Sequence, residues 1–106
     1  MKASKKKRLQ AAGWKVGDAR TFLGLSDEEA ALVEMKLSLA DHLRRRRRSR
    51  HVSQLELADQ LGSSQSRVAK MEAGDGSVSL DLLVKALLAL GETPRGVARV
   101  LGRHAA

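Results

Sequence analysis

The stretch that decides the fold is residues 53–74, SQLELADQLGSSQSRVAKMEAG. Ser53 and Glu56 have the S-x-x-E spacing of a capping box, in which each side chain binds the other residue's backbone N–H, so a helix is predicted to begin here. That helix is predicted to end at Leu61, because Gly62 can adopt the left-handed conformation that closes a helix.

A second short helix follows almost at once. Ser64 is a suitable N-cap, and the helix is predicted to run from Gln65 to about Glu72 and to stop at Gly74. Two capped helices joined by a tight turn that begins with glycine have the layout of a helix-turn-helix.

The second of these helices has two chemically different faces. At about 100° per residue, Val68 and Met71 point together and are predicted to enter the core. The side chains left on or near the opposite face are Gln65, Ser66, Arg67, Ala69 and Lys70. Gln can pair with adenine, Arg with guanine and Lys with phosphate or guanine, so this face suits the major groove of DNA.

The flanking sequence predicts three more helices. One starts at the capping box of Ser26 and runs to about Arg48; the others start at Ser79 and at Thr93, where Pro94 occupies the first turn. The apolar face predicted for the first of them comprises Leu32, Val33, Leu37, Ala40 and Leu43. The expected fold is therefore all-α, a compact five-helix domain over residues 26–102.

Composition excludes several classes of protein. The chain has 106 residues, with 20 basic and 12 acidic side chains and a net charge of +8, which favours polyanionic partners. It contains no cysteine, and its histidines, His42, His51 and His104, are too far apart in sequence to predict a metal site; we expect them at the surface or at caps. Catalytic and cofactor-binding motifs are absent, as is any apolar run long enough to span a membrane. We therefore expect no enzymatic activity, no cofactor and a cytoplasmic protein.

Basic residues are concentrated in two places. Residues 1–8 carry five and are expected to form a disordered tail, whereas residues 9–25 form an N-terminal extension in which Trp14 and Phe22 either cover the bundle or bind a partner. Six arginines lie in residues 44–50, and they either favour the C-terminal helix dipole or contact phosphate.

The segment SQLELADQLGSSQSRVAKMEAGD followed by SVSLDLLVKALLALG resembles the lambda-repressor-like (Cro/cI, xenobiotic-response-element) helix-turn-helix family, over roughly residues 37–101. The resemblance implies a domain that binds operator DNA as a homodimer. It also implies that Gln54 touches phosphate and braces Gln65, which contacts a base. The remaining contact positions that it implies are Ser64 on phosphate, and Ser66, Arg67 and Lys70.

Three residues depart from the family pattern. Ser63 stands at a usually apolar turn position, Arg46 where many members have a core Leu or Ile, and Leu55 at a usually polar position. Where the dimer interface lies is open, because the last helix offers candidates that could equally close the core: Val97, Val100 and Leu101.

Within this family, the sequence SQSRVAKMEAGD…SLDLL is most similar to HigA-type antitoxins. The function expected is therefore a sequence-specific transcriptional repressor, and the resemblance implies an antitoxin that neutralises a RelE- or HigB-like mRNA-endonuclease toxin and represses its own operon. We expect residues 9–25 to contribute to the toxin contact. The alternatives are a stand-alone phage-type regulator or adaptor without a toxin, and a basic RNA-associated protein.

Overall fold

The computed structural model describes residues 24–103, and this part of the chain consists of five α-helices without a strand. The helices are α1 (Asp27–Ser49), α2 (Gln54–Leu61), α3 (Gln65–Ala73), α4 (Leu80–Ala89) and α5 (Pro94–Gly102). The all-α, five-helix prediction is confirmed, and each helix begins where its cap predicts. The predicted tail, residues 1–8, and most of the predicted extension, residues 9–23, lie outside the described residues.

Each of the five helices is preceded by a hydroxyl side chain that accepts the backbone N–H of the residue three positions later; the five caps are Ser26, Ser53, Ser64, Ser79 and Thr93. Both predicted capping boxes are present. Ser26 and Glu29 exchange hydrogen bonds of 3.1 Å, and Ser53 and Glu56 exchange hydrogen bonds of 3.0 Å. These bonds satisfy N–H groups that a helix start otherwise leaves without a partner.

Left-handed residues close four of the helices. Gly62, Gly74 and Gly91 have positive φ, and so does His51, with φ 57°. The N–H of Val52 donates to the carbonyl of Arg47 at 3.1 Å, which gives α1 the same C-terminal closure that glycine gives the others. His51 holds this conformation although it carries a Cβ, which disfavours it.

The core surrounds the second half of α1, against which α3, α4 and α5 all pack. Its largest fully buried side chains are Leu39, Leu43, Leu57, Val68, Met71, Leu83, Leu87 and Val100. The first buried residue of α1 is Leu37, so the first ten residues of this helix bury no side chain fully.

One prediction about the core is wrong in detail. Leu32 was assigned to the apolar face of α1, but it is 44% exposed, whereas the unassigned Leu39 is completely buried. The reason is that helices pack around α1 from several sides along its second half and not along its first. Of the two roles left open for the last helix, Val97 and Val100 are buried and close the core, while Leu101 is half-buried against it.

Candidate nucleic-acid interface

The outer face of α3 has the polarity that its sequence predicts. Gln65, Ser66, Arg67 and Lys70 are exposed, and Val68 is fully buried on the opposite side. Within residues 24–103 no carboxylate forms an ion pair with Arg67 or Lys70. The side chains that could contact DNA are therefore turned to solvent together.

Ser64 organises the start of this face. Its hydroxyl accepts the N–H of Arg67 at 3.2 Å and lies 3.2 Å from the hydroxyl of Ser66. The first N–H groups of α3 lie beside these hydroxyls at the positive end of the helix dipole. Such a helix start is suited to a phosphate oxygen.

Gln54 is held by a different residue from the one predicted. Its Nε2 donates to Oε1 of Glu72 at 3.2 Å. The expected bracing of Gln65 by Gln54 is therefore not the hydrogen bond that the structure contains. Gln54 instead connects the first residue of α2 to the last turn of α3, and so fixes the two helices relative to each other.

Arg47 and Glu72 form a nearly buried ion pair beneath this connection, with side chains 11% and 4% exposed. Arg47 donates through Nη2 to Oε1 of Glu72 at 3.0 Å and through Nη1 to the carbonyl of Val52 at 2.9 Å. The hydrogen bond to Glu72 raises the pKa of Arg47 above its ordinary value. One side chain of α1 thus joins the last turn of α3 to the segment preceding α2.

The sequence contains a signal for this pair that lies outside the recognised motifs. Glu72 lies four residues after Val68, so it falls on the buried face of α3. A carboxylate at such a position needs a cation or several donors, because an unpaired buried charge is unstable. Its partner, Arg47, is one of the six arginines in residues 44–50.

The arginines of residues 44–50 point in different directions, because successive residues of a helix are about 100° apart. Arg46 donates through Nε to the carbonyl of Leu90 at 3.2 Å, and Arg50 lies against Gly91, so both cover the turn between α4 and α5. Arg45 pairs with Asp41 at 3.1 Å on the surface. The exposed arginines of the run without an ion pair among residues 24–103 include Arg44 and Arg48, which are four residues apart and share one ridge of α1.

His42 also differs from its expected place at the surface. Its Nε2 lies 2.6 Å from Oε2 of Glu92, and Arg46 reaches the same oxygen at 3.4 Å. The hydrogen bond from His42, a second one from the N–H of Thr93 and the charge of Arg46 lower the pKa of Glu92. This cluster attaches the beginning of α5 to α1. His51, by contrast, occupies a helix end as expected.

Other kinds of site find no support in residues 24–103. No group of three or more His, Asp or Glu side chains in this part of the chain could hold a metal ion. None of the helices described is both long enough and apolar enough to cross a membrane.

A family model described as Helix-turn-helix matches residues 43–97, which contain α2, α3, α4 and the ends of the neighbouring helices. The chain belongs to this lambda-repressor-like helix-turn-helix family, whose domains bind DNA and regulate transcription and are generally not enzymes. Comparisons with curated proteins and with solved structures gave no match.

Proposed function

We propose that this DNA-binding regulator is a sequence-specific repressor that binds a pseudo-palindromic operator as a homodimer in the cytoplasm. The observation that carries the proposal is the exposed polar face of α3, fixed to α1 and α2 through Glu72. A rigidly held recognition helix can place its side chains in the major groove in one register, which sequence discrimination requires.

Each exposed side chain has a role in this proposal. Gln65 and Arg67 contact base edges, Ser66 and Lys70 contact bases or adjacent phosphates, and the hydroxyl at Ser64 lies against the backbone. Gln54 supports these contacts from the start of α2, where its remaining hydrogen-bonding capacity can reach phosphate. Arg44 and Arg48 are proposed to contact the phosphates that flank the groove.

Selection of duplexes from a random library by the purified protein tests the proposal. A pseudo-palindrome with half-sites about ten base pairs apart and a preference of about a thousandfold over a scrambled duplex is the expected result. Binding that depends steeply on salt but ignores sequence would contradict it, and would favour the adaptor or the RNA-associated protein.

Two variants and one control assign the contacts. Arg67→Ala should cost about 1–3 kcal/mol and relax the preference at one operator position. The double substitution Arg44→Ala/Arg48→Ala should weaken binding to all sequences alike and flatten the dependence of affinity on salt. Lys85→Ala removes an exposed cation from α4 and should leave sequence preference unchanged. A change of preferred sequence in the Arg44/Arg48 variant would contradict its assignment to phosphate.

We further propose that the regulator is the antitoxin of a toxin–antitoxin pair. The support is the likeness of SQSRVAKMEAGD…SLDLL to HigA-type sequences. Co-expression with the product of an adjacent gene that encodes a small basic endonuclease-like protein tests it: the full chain should relieve growth arrest. Removal of residues 9–25 should abolish relief while DNA binding persists. Relief that survives this deletion would show that the toxin contacts another surface.

A further inference from the structure

One side of α4 carries apolar side chains that reach the surface. Leu80, Val84 and Leu88 recur every four residues, so they form a stripe along this side of the helix. Leu80 and Val84 are half-buried against the core, whereas Leu88 is 43% exposed. Such a stripe is suited to a second helix, because packing against it would remove apolar surface from water.

Two opposite charges lie along one flank of this stripe. Asp81 and Lys85 are exposed and one turn apart, on the same flank of α4. An aspartate four residues before a lysine can form an ion pair within a helix, but neither side chain forms an ion pair with any of residues 24–103. The N-cap of α4 is the hydroxyl of Ser79, which accepts the N–H of Leu82, so the carboxylate of Asp81 is not used by the cap.

The outer faces of α5 and α1 are less suited to contact with a second copy. On α5 the exposed charges are Arg95, Arg99 and Arg103, so a two-fold contact through this face would place cations opposite cations. On α1, Asp41 and Arg45 already pair with each other at 3.1 Å. The outer face of α4, by contrast, presents an acid and a base that form no ion pair within the described part of the chain.

We propose that the two copies of the homodimer pack α4 against α4 in an antiparallel arrangement, across a two-fold axis that passes near Val84. The proposal rests on the homodimer of the proposed function. A two-fold axis perpendicular to the helices keeps the charged flanks of both copies on one side, so Asp81 of each copy faces Lys85 of the other in two equivalent ion pairs. The same symmetry sets Leu88 of each copy against Leu80 of the other. A parallel arrangement would put the charged flanks on opposite sides of the interface, where these ion pairs could not form.

Charge reversal tests the arrangement in the full chain. Asp81→Lys and Lys85→Glu should each weaken dimerisation about tenfold, measured by sedimentation equilibrium, because two ion pairs become two like-charge contacts. An equimolar mixture of the two variants should form a heterodimer at least as stable as the wild-type dimer, since both contacts then join a lysine to a carboxylate. The double variant Asp81→Lys/Lys85→Glu should dimerise like the wild type, because the exchange restores both pairs.

Leu88→Gln tests the apolar stripe. It should weaken dimerisation about tenfold, because each copy loses an apolar contact with the other. The matched control is Leu55→Gln, which changes an apolar side chain of α2 that is 56% exposed and should leave dimerisation unaltered.

The charge controls lie on other helices. Asp59→Lys reverses an exposed acid of α2, and Arg99→Glu reverses an exposed cation of α5; neither should alter dimerisation. Circular dichroism verifies that every variant is folded. The base preference within each half-site should stay unchanged in the α4 variants, as in Lys85→Ala, because these side chains contact the second copy and not DNA.

The outcomes separate this interface from the homodimer on which it rests. A wild-type dimer that resists both reversals, or that neither the mixture nor the double variant restores, overturns the interface alone. A dimer that Arg99→Glu alters more than Asp81→Lys does also overturns it, and assigns the contact to α5. A wild-type chain that stays monomeric with and without the duplex selected from the random library overturns the homodimer as well. If the chain dimerises only on that duplex, the same variants are compared there by the cooperativity with which the two half-sites are filled.

Discussion

Replacing Glu72 with leucine should destabilise the domain severely. The carboxylate is 4% exposed and accepts from both Arg47 and Gln54, so its loss leaves a nearly buried guanidinium without a counter-ion. Removing one partner of such a pair costs about 3–5 kcal/mol, and we expect about 3 kcal/mol because Arg47 is 11% exposed and retains the carbonyl of Val52. At about 0.05–0.15 kcal/mol per residue, a domain of this size has only about 4–12 kcal/mol in total.

Urea denaturation at pH 7, followed by far-ultraviolet circular dichroism, measures the effect. The double substitution Arg47→Met/Glu72→Leu should recover most of the stability, because apolar side chains of similar size can replace a buried pair at little cost. Arg45→Ala breaks a surface pair whose arginine is 75% exposed, and should cost at most about 0.5 kcal/mol. The reasoning fails if Glu72→Leu lies within about 1 kcal/mol of wild type, or if the double variant is no more stable than the single one.

Three further substitutions test other parts of the fold. Gly74→Ala should destabilise it by at least about 1–2 kcal/mol in urea denaturation, because its φ is 73° and its Cβ would lie 2.5 Å from Leu37. His51→Gly should stabilise it by up to about 1 kcal/mol in the same assay, since glycine adopts the observed positive φ without strain; a loss of stability would contradict this. The pKa of Glu92 is lowered in the folded state, so its ionisation stabilises the fold above the ordinary carboxyl pKa, and this stabilisation is lost as the pH falls through the lower folded value. Glu92→Gln should therefore make the melting temperature depend less on pH in this acidic range.

Local signals predicted the helices well. The hydroxyl caps at Ser26, Ser53 and Ser64 act within three residues, so the sequence around each one contains the whole interaction. The exposed face of α3 was likewise predictable, because the periodicity of a short helix with Val68 on its inner side leaves little choice.

Contacts between distant residues were not predictable in this way. Arg47 and Glu72 are separated by 25 positions, and their pairing depends on how α1 crosses α3. The burial of Leu39 and the exposure of Leu32 depend on which part of α1 the other helices reach. Periodicity places Glu72 on the buried face of α3, but its contact with Gln54 depends on how α2 packs against α3, which no local pattern indicates.

The arginines of residues 44–50 make different contacts, so the amino-acid composition of this segment does not describe what it does. Exchanging Arg47 with Ser49 would preserve length, charge and residue content, yet it would remove the counter-ion of Glu72 and leave a hydroxyl in its place. Inserting one residue before Arg46 would rotate every later arginine by about 100° and would direct each of them toward the wrong neighbour. Each arginine of this run therefore has a specific neighbour that depends on its position in the helix, although the side chains are chemically identical.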